Sequence, residues 1–128
     1  MNNADAELSS YRGFWPATSI AGANAVVSTG FAIATVVAES SSTAWYAADR
    51  AAALLVALIV VVALRHRAGL LVVGWMLVGV QAVDALIGLA TADVTKTVGP
   101  AALAVATGVA LFLAARSAEG SKVRPDRP

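Results

Sequence analysis

Asp84 lies inside an apolar stretch, between Val83 and Ala85, and Arg50 opens another. A carboxyl in surroundings of low dielectric resists ionisation and can hand a proton to a ligand oxygen. A neighbouring guanidinium does the opposite, favouring the carboxylate, which then serves as a base. With a second carboxyl at the same level, Glu39 or Asp49, one arginine splits the two into an acid and a base. Such a constellation suits isomerisation, cyclisation or epoxide opening on a lipophilic small molecule arriving from the bilayer, with no cofactor and no metal. Other chemistries are excluded by residue type. Cysteine is absent and His66 is the single histidine, which rules out disulfides, thiolate metal sites, a cysteine nucleophile and clustered imidazole ligands.

The chain that must position these groups has 128 residues, of which 59% are hydrophobic and 13% charged, and its mean hydropathy is +0.75. Soluble domains carry about 25% charged residues, so the composition predicts an integral membrane protein with the lipid bilayer as its surroundings. A net charge of +1 gives no sign of a nucleic-acid partner. The length accommodates about four spans of roughly 20 residues. Four apolar stretches answer to this, at about 14–38, 45–64, 68–90 and 98–115, within a transmembrane domain 13–115. A cytoplasmic leader, 1–12, precedes it, and a charged cytoplasmic tail, 116–128, follows with the composition of a disordered segment. The leader holds Asp5, Glu7 and a single basic residue, Arg12, and the uncharged run behind it covers 13–38. That run exceeds the roughly 7–15 apolar residues of a signal peptide, so it is read as a retained span.

The fold class expected is all-α, an up-down four-helix membrane bundle with both termini cytoplasmic. In this orientation Arg12, Arg65, Arg67, Arg116, Lys122, Arg124 and Arg127 are inside, and only Arg50 and Lys96 outside. Tyr11, Phe14 and Trp15 would mark the inner interface, and Trp45 and Tyr46 the outer one. The Ala, Val, Gly and Arg bias points to a bacterial plasma membrane. Gly99-Pro100 suits the first turn of the fourth helix, where a missing N–H costs nothing.

Depth brings the polar groups together. Arg50 lies 16 residues before His66 and Asp84 lies 18 after it, so in a hairpin of helices two and three both stand about 24–27 Å from the turn. Gln81 joins them as a hydrogen-bonding orienter. In helix three, Gly74, Leu77, Gln81, Asp84 and Gly88 follow 3, 4, 3, 4 spacing, the seam of a packed bundle. Helix one offers Asn24, Ser28, Thr35 and Glu39, with 4, 7, 4 spacing. The two seams predict a polar cavity in the outer half of the bundle, with Asn24, Ser28, Thr35 and Trp75 as substrate-binding residues. Each group also has a structural reading. Arg50 and Asp84 could be a pair that only lowers the cost of charge in the membrane. Asn24, Ser28 and Thr35 could bond between helices or to their own backbone. Trp75 could be packing, and His66 a headgroup contact.

Asp49-Arg50 opening an apolar helix, the basic turn Arg65-His66-Arg67, Gly74-Trp75 leading to Asp84-Ala85, and a Gly-rich closing helix together resemble the DoxX-like small bacterial membrane proteins. The resemblance covers about 45–115 and implies a four-span bundle with Arg50 and Asp84 facing inward. The small multidrug exporters share length and span number, but they carry a carboxylate midway along helix one, where this chain has Asn24 and Ser28. Three functions follow as expectations: a cofactor-free acid/base enzyme, a small proton-coupled transporter working as a homodimer, or an accessory membrane subunit.

Overall fold

The computed structural model describes the backbone of residues 14–122 and the side chains of 14–117. The leader 1–12, the charged end 123–128 and the side chains of 118–122 lie outside these, and with them Tyr11, Arg12, Lys122, Arg124 and Arg127. Four helices make up the described chain: α1 Phe14–Glu39, α2 Ser42–Ala63, α3 Arg67–Ala90 and α4 Val94–Lys122. All four are long and apolar enough to cross a membrane. The 26, 22 and 24 residues of α1, α2 and α3 correspond to about 39, 33 and 36 Å.

Short polar turns set the helix boundaries. Ser41 caps α2, its side-chain oxygen accepting from the Ala44 N–H at 3.2 Å, so that helix starts at Ser42, before the expected Trp45. His66 caps α3 in the same way, Nδ1 accepting from the Gly69 N–H at 2.9 Å. This gives the histidine a local structural task. Each connection also contains one residue with left-handed backbone, Ser40, Arg65 and Ala92, with φ of 48, 50 and 54°. None of the three is glycine, and such a conformation costs a side-chain-bearing residue roughly 1–2 kcal/mol.

The fourth helix departs most from expectation. It starts at Val94, so Pro100 sits inside it and not in its first turn. The reason is Asp93, whose carboxylate accepts from the Lys96 N–H at 3.1 Å and pairs with the Lys96 ammonium at 3.4 Å. The helix also runs to Lys122, through part of the segment expected to be disordered. The Lys96 backbone N–H, first among several contacts, holds the Asp93 carboxyl below the ordinary aspartate range. A depressed folded value means that the cap's contribution is fully present above the unfolded aspartate pKa and is lost only as pH falls through the lower folded one. We therefore expect the Lys96 amide resonance in micelles to titrate below the usual aspartate range, and Asp93→Ala to fray the first turn of α4, read as faster amide exchange at Thr95 and Lys96. An amide that titrates with an ordinary aspartate midpoint would contradict the cap.

In the packed bundle α3 lies most extensively against α4 and α1 against α2, while among the described residues the backbones of α2 and α4 do not approach each other. The core joins Phe14, Ala17, Ala21 and Ala25 of α1 to Leu70, Val73 and Leu77 of α3 and Leu111 and Ala114 of α4. From α2 only Ala44 and Leu58 are buried. Phe14, placed by sequence at the membrane interface, belongs to this core at 4% exposure, whereas Trp15, Trp45 and Tyr46 are exposed.

Small residues bring α3 and α4 close. A Cβ on Gly88 would meet the Lys96 and Thr97 backbone, and one on Gly74 would meet the Leu111 side chain. Arg67 at the start of α3 donates to the Ala114 carbonyl. These contacts advance along α3 as they retreat along α4, so the two form an antiparallel pair.

Candidate functional site

The polar residues gather into two sets. The first is neutral and buried, near the middle of α1, α3 and α4. Asn24 Nδ2 donates to Thr107 Oγ1 at 2.8 Å, and Gln81 Nε2 donates to Asn24 Oδ1 at 2.7 Å and to Ser28 Oγ. Ser28 Oγ donates to the Asn24 carbonyl at 2.7 Å. Asn24, Thr107 and Gln81 are 0, 1 and 3% exposed. At the level where the two seams predicted a lined cavity, these side chains bond to each other. In a bilayer each such interhelical bond contributes about 0.6 kcal/mol, so the set acts first as a register device for three helices.

The second set is ionic and peripheral. One Arg50 guanidinium nitrogen, Nη2, donates to Asp84 Oδ1 at 3.0 Å and to Oδ2 at 3.2 Å. The side chains are 45 and 32% exposed. Arg50 and Asp84, expected at equal depth, are therefore paired, but at the edge of the bundle, between α2 and α3. Asp84 follows the seam spacing and still stays half-covered, unlike Gly74, Leu77, Gln81 and Gly88, which are buried.

The remaining candidates are not drawn to the pair by any hydrogen bond or ion pair. Gln81 is engaged in the buried set. Asp49 and Glu39 are exposed on the surface of α2 and at the end of α1. Thr35 Oγ1 donates to the carbonyl of Phe31 at 3.0 Å, bonding back to its own helix. Trp75 is 51% exposed on the side of α3 that faces Gly108 of α4. Thr107 is the buried polar residue that sequence reasoning passed over. Its signal was available, because Thr107, Ala110 or Leu111, and Ala114 repeat with seam spacing and are all buried.

What the pair can do follows from its unused bonding capacity. Arg50 has five N–H donors and uses one nitrogen on Asp84. Its other N–H groups are free to hold a ligand oxygen beside the carboxylate. No family model, curated protein or solved structure matches this chain.

Proposed function

We propose that this is a multi-pass membrane protein that carries out cofactor-free acid/base chemistry on a lipophilic molecule at the Arg50–Asp84 pair. The observation that supports it most is an ion pair within two membrane-length helices, open on the outer side of the bundle. A molecule dissolved in the bilayer reaches such a site laterally. Arg50 would hold a substrate oxygen and stabilise charge developing there. Asp84 would take a proton from a neighbouring carbon and return it to another. Such a transfer balances as an isomerisation and consumes nothing. In this reading the four helices cross a bacterial plasma membrane alternately and both termini are cytoplasmic, as the excess of Lys and Arg on one side requires. Kinship with the DoxX-like proteins is part of the same proposal and rests on the residues quoted above.

The test uses purified protein in proteoliposomes offered three lipophilic probes: a long-chain β,γ-unsaturated ketone, a polyene and an epoxide. Conversion of one of them above empty liposomes is expected, falling by about 10²–10⁴-fold in Asp84→Asn, the usual weight of a positioned acid or base. No conversion of any probe, or equal conversion by Asp84→Asn, overturns the assignment. The contact of Arg50 with both Asp84 carboxylate oxygens favours a second reading, an accessory subunit whose pair fastens α2. That reading expects all three probes to remain untouched.

A further inference from the structure

A second carboxyl would divide the roles of acid and base, and among the described residues of a single copy only Asp84 lies at the site. The face around the pair also has unusual exposure. Arg50 and Asp84 are 45 and 32% exposed within helices that span, and α2 has only Ala44 and Leu58 buried. Val56, Ile59 and Val60 on α2 are each at least half exposed. Apolar side chains are at ease against lipid, but a half-open ion pair is not, because charge in the hydrocarbon is costly.

We propose that a second copy of this chain covers the α2–α3 face, related by a two-fold axis beside Arg50 and Asp84, and that each copy completes the other's site with its own Asp84. The proposal rests on the acid/base reading for its chemical consequence and on charge for its geometry. An isologous interface sets a patch against itself, so a patch of one sign would repel its copy. This patch carries one guanidinium and one carboxylate side by side and is therefore self-complementary. Arg50 keeps N–H donors that Asp84 of its own chain does not use, and these are available to the partner's Asp84. Two carboxylates then share a site between two guanidiniums, the arrangement in which environment divides an acid from a base.

The absence of cysteine allows a direct test in native membranes. Ala53 lies one turn from Arg50 on the exposed side of α2, and Val105 is exposed on α4, at 67%. Under mild oxidation Ala53→Cys is expected to cross-link to a dimer and Val105→Cys to remain monomeric. In the Ala53→Cys background, Arg50→Glu alone and Asp84→Arg alone are expected to lower cross-linking by about tenfold, since like charges meet. Co-expressing the two should restore it, because one copy is then doubly acidic and the other doubly basic. No cross-link at Ala53, or an equal yield at Val105, overturns the interface even if the charge variants do not fold. A failure of co-expression to restore the cross-link overturns the charge pairing. The outcomes separate from those of the chemistry: cross-linking at Ala53 with no probe converted removes the reaction and leaves the dimer, and conversion lost in Asp84→Asn without any cross-link removes the dimer alone.

Discussion

Gly88→Ala is expected to destabilise the chain by about 3 kcal/mol, with Gly88→Val worse. A Cβ at this position would stand 2.4 Å from the Lys96 carbonyl carbon, 2.5 Å from its oxygen and 2.6 Å from the Thr97 nitrogen. All three are backbone atoms, so no side-chain rotation relieves the contact and the two helices must separate. The sequence of α4 explains why they lie so close. Pro100 has no N–H, so the Lys96 carbonyl four residues earlier lacks its usual helical donor. That carbonyl lies against Gly88, whose lack of a Cβ lets the two backbones approach. The measurement is reversible unfolding in mixed micelles followed by the fluorescence of Trp15, Trp45 and Trp75. Gly74→Ala is the graded comparison, since its Cβ would be 2.6 Å from a Leu111 methyl. A side chain can shift a little, and we expect about half the loss. Gly22, Gly30, Gly79 and Gly99 have nothing within 4 Å of an added Cβ. Alanine there should be neutral or stabilise by roughly 0.5–1 kcal/mol, through helix propensity alone. If Gly88→Ala behaved like Gly79→Ala, the close approach of α3 and α4 would be wrong.

The spans and the pair were legible for one reason: both depend on position along a single axis. Apolar runs give length, and counting from the His66 turn gives depth, which is how Arg50 and Asp84 could be matched across 34 residues. The direction in which a side chain leans is a different matter. Gln81 has the same seam spacing as Asp84, yet it turns to Asn24 and Ser28 while Asp84 turns to Arg50. Periodicity assigns a face of α3 but does not say which neighbouring helix covers each part of it. The start of α4 was misjudged because Gly99-Pro100 is a good initiation signal and Asp93 is a better one. The carboxylate binds an otherwise unpaired N–H and the Lys96 charge together, and the helix then tolerates a proline further along. Thr107 escaped notice since a hydroxyl among Ala, Val and Gly carries no motif of its own. Its seam spacing with Leu111 and Ala114 marks a face of α4, but the partner on that face, Asn24, is set by the neighbouring helix.

The second large effect is expected at Arg50 and Asp84, and its sign depends on how many of the two are changed. Asp84→Leu alone leaves a guanidinium within a membrane-length helix with no carboxylate to bind. An arginine at the centre of a membrane helix costs about 2.5–3.5 kcal/mol on insertion scales. Arg50 is eight residues into α2, about 12 Å from the helix end, and its long stem lets the charge reach toward that end. The discounted loss is about 2 kcal/mol. Arg50→Leu alone leaves a short carboxylate that cannot reach out in this way, and it should cost at least as much. The double change removes both charges and adds apolar surface where lipid or a second α2 would lie. It should be neutral or even stabilising, as when an apolar pair replaces a buried ion pair. A double-mutant cycle in micelles dilute enough to keep the chain monomeric would then show a coupling of about 2 kcal/mol or more. Additive single changes would mean that the 3.0 Å contact contributes nothing to holding α2. With the coupling present and the double variant stably folded, loss of cross-linking at Ala53→Cys in that same variant would assign the pair's remaining role to meeting a second copy, because its role within one copy has already been replaced.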